Sequence, residues 1–146
     1  MIRAFYIFIL LAFCNSGFSQ KEVTWEDLKC DSITDLWVEE IESIFPVPHF
    51  SEKTKKLNNV EVKISGFIIP IDAEEGYYVI SKNKCKTNYY LCIDGDQVID
   101  IQLVNYAGKS IEMNQKVTRS GTLLLNYEDN LQLFYILENA KIITNK

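Results

Sequence analysis

Between Val60 and Ser65 apolar and polar positions alternate strictly, Val60, Val62 and Ile64 on one side and Glu61, Lys63 and Ser65 on the other. That is the period of a half-buried strand. Gly66 interrupts the alternation, and beyond it Phe67-Ile68-Ile69 is apolar on both faces, so the strand is expected to bend at the glycine and enter a more enclosed environment. Pro70 is expected to end the ladder. Lys116 to Asn126 repeats the design, with a valine, then Ser120-Gly121, then the run Leu123-Leu124-Leu125 and a turn-forming residue. Two long strands, each kinked at a glycine, predict a small and strongly curved barrel. Further strands are expected over 77–81, 97–105 and 131–143, with polar turns at Ala73-Glu74-Glu75-Gly76 and from Asn126 to Asn130. The strand total is five.

The first third of the chain is patterned differently. Thr24 precedes Trp25-Glu26-Asp27-Leu28, which reads as a capped helical turn with Trp25 and Leu28 inward and Trp25 plugging one end of the barrel. Over Ser32 to Phe45 the residues Leu36, Trp37, Ile41, Ile44 and Phe45 recur at helical spacing, which predicts an amphipathic helix, although Trp37-Val38 also fits a strand. Pro46-Val47-Pro48 ends that segment. Ser51 to Leu57 reads as one or two helical turns, and Asn58-Asn59 as the turn that launches the strand from Val60.

Arg3 followed by the apolar run Ala4 to Phe13 has the form of an export signal, too short to span a bilayer. Gly17 and Ser19 place the small residues a signal peptidase requires for a cut after Ser19, with Gln20 as the neighbouring choice. Cys14 closes the apolar run and offers lipid attachment as a second route, against which the bulky Phe13 stands. Residues 1–19 are therefore assigned to a signal peptide and 20–146 to one domain, with 20–59 an N-terminal extension and 60–146 the barrel. Removing residues 1–19 takes away one base and no acid, changing the net charge from −5 to −6. Such a balance disfavours nucleic acid, whose phosphates are neutralised by Lys and Arg. No second apolar stretch is long enough for a membrane span. The expected protein is exported, periplasmic or otherwise held in the cell envelope, and its partner there is a protein or a small ligand.

Cys30, Cys85 and Cys92 remain after that cut. Three pairings are open, and in an oxidising compartment one disulfide and one odd thiol are expected. A hairpin turn at Asn88-Tyr89 sets Cys85 directly opposite Cys92, and closing that loop contributes about 2.5 kcal/mol in the chain-entropy account. His49 is the only histidine and is held extended between Pro48 and Phe50. Alone it makes neither a zinc site nor a Ser-His-Asp arrangement. Asp94, Asp96 and Asp100 lack the further ligands and closing glutamate of a calcium loop, so they read as a turn. Glu74 and Glu75 are adjacent, whereas catalytic carboxylates stand opposed across a cleft. Tyr77-Tyr78 and Tyr89-Tyr90 each place one ring in and one out. At the tip of the loop after the second strand, Tyr89 and Tyr90 suit stacking on a sugar or packing against a partner.

The strand pattern fits an OB-like barrel, in which the first strand takes part in both halves of a coiled sheet and pairs with the fourth. Four stretches also resemble a family of exported, Bacteroidetes-type bacterial proteins known only as a domain of unknown function. They are Thr24 to Leu28; Pro48 to Ser51 with Leu57-Asn58; Val60 to Asp72; and Gly121 to Asn126 with Tyr135-Ile136-Leu137 and Ala140. The resemblance covers nearly the whole chain after residue 19. It implies an OB-like domain in the periplasm or at the surface, associated in part of the family with metal-linked transport. Members similar to this chain carry Cys-x-x-Cys after the second strand; here six residues lie between Cys85 and Cys92, and Asn88 stands near the first family cysteine. The resulting expectation is a mainly β, OB-like binding or accessory module without catalysis or cofactor. Its contact residues are Tyr89, Tyr90, Asp94 and Asp96 in the 85–96 loop and the adjacent barrel face. The competing expectation is a metal-handling or thiol-redox protein using Cys85 and Cys92 with His49 or Cys30.

Overall fold

A computed structural model describes residues 20–39, 42–85, 100–106, 112–129 and 131–143. Its strands are β1 (Lys21–Glu22), β2 (Cys30–Val38), β3 (Ser43–Phe50), β4 (Val60–Asp72), β5 (Tyr77–Ser81), β6 (Ile101–Val104), β7 (Lys116–Leu125) and β8 (Tyr135–Ile142). A 3-10 turn covers Trp25–Leu28, and a single α-helical turn, α1, covers Glu52–Lys55.

β4 pairs with β7 from Val60↔Leu123 to Phe67↔Lys116, and with β5 from Phe67↔Ser81 to Asp72↔Tyr77. One strand thus serves two neighbours, changing partner at Phe67. The circuit continues through β5–β6, a parallel β6–β8 pair and β8–β7, and so closes. The chain is mainly β, a closed five-stranded barrel of OB-like order with β4 and β7, the first and fourth barrel strands, paired as the sequence predicts. Its interior is filled by alternate residues of each strand, among them Ile64, Ile68, Ile80, Ile101, Tyr135 and Leu137. β1 adds a short parallel strand beside β4.

The bend expected at Gly66 coincides with this change of partner. A Cβ there would lie 2.5 Å from Ile80 Cγ2, 2.6 Å from the Ser81 carbonyl and 2.8 Å from Trp25 Cζ2, so the glycine lets β5 and the Trp25 ring close on the strand. Trp25 is held by its indole N–H, which donates to the Ser65 carbonyl. Gly121 sits opposite a bulge in β8, where Asn139 has a φ of 54°. The turns also follow expectation. Asp72 Oδ1 accepts from the N–H groups of Glu74 and Glu75, and Ser51 caps α1 through the Thr54 N–H.

Three expectations are corrected. Pro70 does not end β4; it pairs opposite Tyr78, and the register slips between Pro70 and Asp72 before the strand stops. The last strand begins at Tyr135, because the Asn126 side chain bonds to the backbone of Asp129, Gln132 and Leu133 and holds that segment as a turn. The helix expected over Ser32 to Phe45 is a hairpin, β2 against β3. Helical spacing signals a face that is buried. Here Leu36, Trp37 and Ile44 stay 55–60% exposed, so the spacing recorded no burial, and Pro46 and Pro48 sit inside β3.

Candidate functional site

The loop between β5 and β6 is fixed at both of its described ends. On one side Cys85 is buried, and the Asn114 side chain clamps its backbone: Oδ1 accepts from the Cys85 N–H at 2.7 Å, and Nδ2 donates to the Cys85 carbonyl at 2.5 Å. Asn114 is itself placed by a φ of 66° and by donating its backbone N–H to the Ile68 carbonyl. On the other side Asp100 is 2% exposed, next to Ile101, whose partner across the ladder is Ile80. Burial pushes its carboxyl up to about 6, and a hydrogen bond with Ser81 offsets only part of that effect. Oδ2 of Asp100 is buried without a partner.

A second group of polar side chains lies nearby in sequence order. Arg119 of β7 is buried, donates through Nη2 to the Tyr106 hydroxyl at 3.0 Å and stacks on that ring, while Tyr106 meets Tyr78 edge-on. This cluster joins β5, the residue after Asn105 and β7. At the other end of the chain Asp27 receives Thr24 N–H and Oγ1–H bonds and an ion pair from Lys53 at 2.5 Å. Lys53 first, then the Thr24 donors, hold its carboxyl well below the usual range.

Of the residues assigned to contact, Tyr89, Tyr90, Asp94 and Asp96 lie outside the described residues, as does Cys92. Cys30 is a half-buried free cysteine with Sγ 3.4 Å from the Tyr135 hydroxyl, which in turn donates to the Leu28 carbonyl. Burial pushes the Cys30 thiol up. His49 stands exposed on β3 with Nε2 2.8 Å from Thr34 Oγ1. Among the described residues no group of three or more His, Cys, Asp or Glu converges as a metal site. Glu74 and Glu75 are exposed in their turn.

The β2–β3 hairpin is the feature sequence reasoning missed. Its root enters the barrel through Phe50, which packs edge-on against Tyr127 and Tyr135. Beyond the root it leaves Ile33, Leu36, Trp37 and Ile44 exposed. The alternate prolines 46 and 48 and the β-branched Ile33, Thr34, Val38 and Val47 were the available signal. No helix of the described residues is long and apolar enough to cross a membrane. No protein-family model, curated protein or solved structure matches the chain.

Proposed function

We propose that this chain is an exported binding or accessory module whose OB-like barrel presents the 85–96 loop to a protein or small ligand of the cell envelope. The observation that carries the reading is the fixing of that loop's stem, by the Asn114 clamp on Cys85 and by the burial of Asp100. A loop whose ends are immobilised loses less entropy when its tip engages a ligand. Tyr89 and Tyr90 are the stacking or packing groups at that tip, with Asp94 and Asp96 as polar contacts.

Export by cleavage after Ser19 is supported by the contacts of the residues that follow. Lys21 already pairs with Val62, so the described sheet begins just past the cut. A disulfide between Cys85 and Cys92 belongs to the same proposal. It is supported by Cys30, which is free and engaged with Tyr135 and so leaves Cys85 and Cys92 as the pair.

The test is the intact mass of the protein purified from its native compartment without reductant, with thiol labelling before and after reduction and metal analysis of the same sample. The reading predicts one disulfide closing the 85–92 loop, slow labelling at Cys30 and no bound metal. Stoichiometric zinc or copper, or three reactive thiols, would replace it with metal handling or thiol exchange at Cys85 and Cys92.

A further inference from the structure

The two outer edges of the β2–β3 hairpin are chemically unequal. In an antiparallel pair, alternate residues point N–H and C=O towards the partner strand, and those between point both groups outward. Pro46 and Pro48 carry no N–H, and proline within a strand sits where the missing donor faces solvent. They are opposite Asp35 and Ile33. The outer edge of β3 therefore lacks donors at two successive outward positions and is closed to a further strand. The outward positions of β2 are Ile33, Asp35 and Trp37, each with a donor and an acceptor. β2 is the open edge.

Charge and exposure define what this edge accepts. Asp31, Asp35, Glu39 and Glu42 are all exposed, and the described residues between 30 and 50 include no Lys or Arg. Ile33, Trp37 and Ile44 share one face by register, and Leu36 lies on the other opposite Phe45. A second copy meeting β2 edge to edge would bring two such acidic strands together, which like charges oppose. A strand carrying Lys or Arg between apolar residues satisfies the backbone edge, the carboxylates and the exposed rings at once.

We propose that the outer edge of β2 is a docking site for an extended, basic segment of a partner protein, added as a third antiparallel or parallel strand to the hairpin. Backbone hydrogen bonds to Ile33, Asp35 and Trp37 supply the pairing; alternate side chains meet Asp35 and the Trp37 ring. The proposal uses no residue of the 85–96 loop, and its failure leaves that reading standing.

The test uses the full chain as recovered from cells and a synthetic probe, the capped peptide Lys-Val-Lys-Ile-Lys-Val-Lys. Binding is followed by amide shifts and by Trp37 fluorescence, with Trp37→Phe separating that signal from Trp25. Saturable shifts at Ile33, Asp35 and Trp37 are expected, with none for the peptide in which glutamate replaces each lysine. Asp35→Lys is expected to weaken binding about tenfold. Ile33→Pro, which removes an outward donor while leaving the inner ladder intact, is expected to abolish it, with unchanged barrel amide shifts as the control for folding. Equal binding of the two peptides, an unaltered affinity in Asp35→Lys, or shifts confined to the barrel would overturn the proposal. So would a dimer of the free protein that dissociates on Ile33→Pro, which would make a second copy the occupant.

Discussion

Asp100 keeps one carboxyl oxygen buried and unpartnered, and the cost falls on its charged form. With the folded group at about 6 and its ordinary value at 3.8, the chain folds most favourably, as far as this group is concerned, below pH 4. That contribution is lost as pH rises through 6, about 3 kcal/mol in all. Asp100→Asn keeps the shape and a partner for Ser81 while removing the charge. Urea unfolding of the variant should show a gain of about 2–3 kcal/mol at pH 7.5 and little change at pH 4; a loss at pH 7.5 would mean that the carboxylate has a partner worth more than its burial costs. Asn114 offers the complementary case. Asn114→Gly keeps the positive φ and removes both bonds to Cys85, so stability should fall by about 1–3 kcal/mol. Cleavage by protease should then begin in the loop that Cys85 opens, and an unchanged cleavage pattern would argue against the clamp. Neither residue was legible beforehand as what it is. Asp100 read as a turn residue beside Asp94 and Asp96, and the Asn114 partner lies 29 positions away in the chain. Single-sequence patterns report faces and turns, not a side chain that bonds across the fold.

β4 shows what patterning can deliver at the scale of an element. Its alternation, its glycine and its enclosed second half all reappear as one strand serving β7 and then β5. The strand was legible because both faces of its second half are covered and its glycine has a packing reason. Gly66→Ala tests that reason directly. The added carbon meets the Ser81 carbonyl at 2.6 Å as well as two side chains, and backbone cannot rotate away. The expected loss is about 3 kcal/mol, towards the upper end for overpacking. Thermal unfolding would show it as a large drop in Tm; a variant within a degree of the parent would mean that β5 does not close on β4 here. The hairpin is the opposite case. Its apolar residues happen to fall at helical spacing, while its burial, which gives spacing its meaning, is absent. The prolines at 46 and 48 lie past the expected helix and bear on the extended form of β3, not on the spacing over 32–45.

For the whole molecule, the five barrel strands were readable from local pattern, but the closure that makes them a barrel depends on pairings between distant segments. The parallel β6–β8 pair, and the order β4–β5–β6–β8–β7, have no local signature. The extra sheet of β2 and β3 was hidden for a further reason: a two-stranded sheet gains little from its own pairing and draws its support from the root at Phe50 and Cys30. The molecule that results is a firm barrel that carries the acidic, apolar hairpin and fixes both described ends of the β5–β6 connection. That division of stability is the central claim, and residue-resolved amide hydrogen exchange on the free protein tests it most directly. The amides of β4, β5, β7 and β8 that pair within the barrel should exchange only through global unfolding, while those of β2 and β3 beyond Cys30 and Phe50 should exchange about 100-fold faster or more. Hairpin amides as slow as those of the barrel, in a protein with nothing bound, would contradict the account, because they would place β2 and β3 inside the cooperative core.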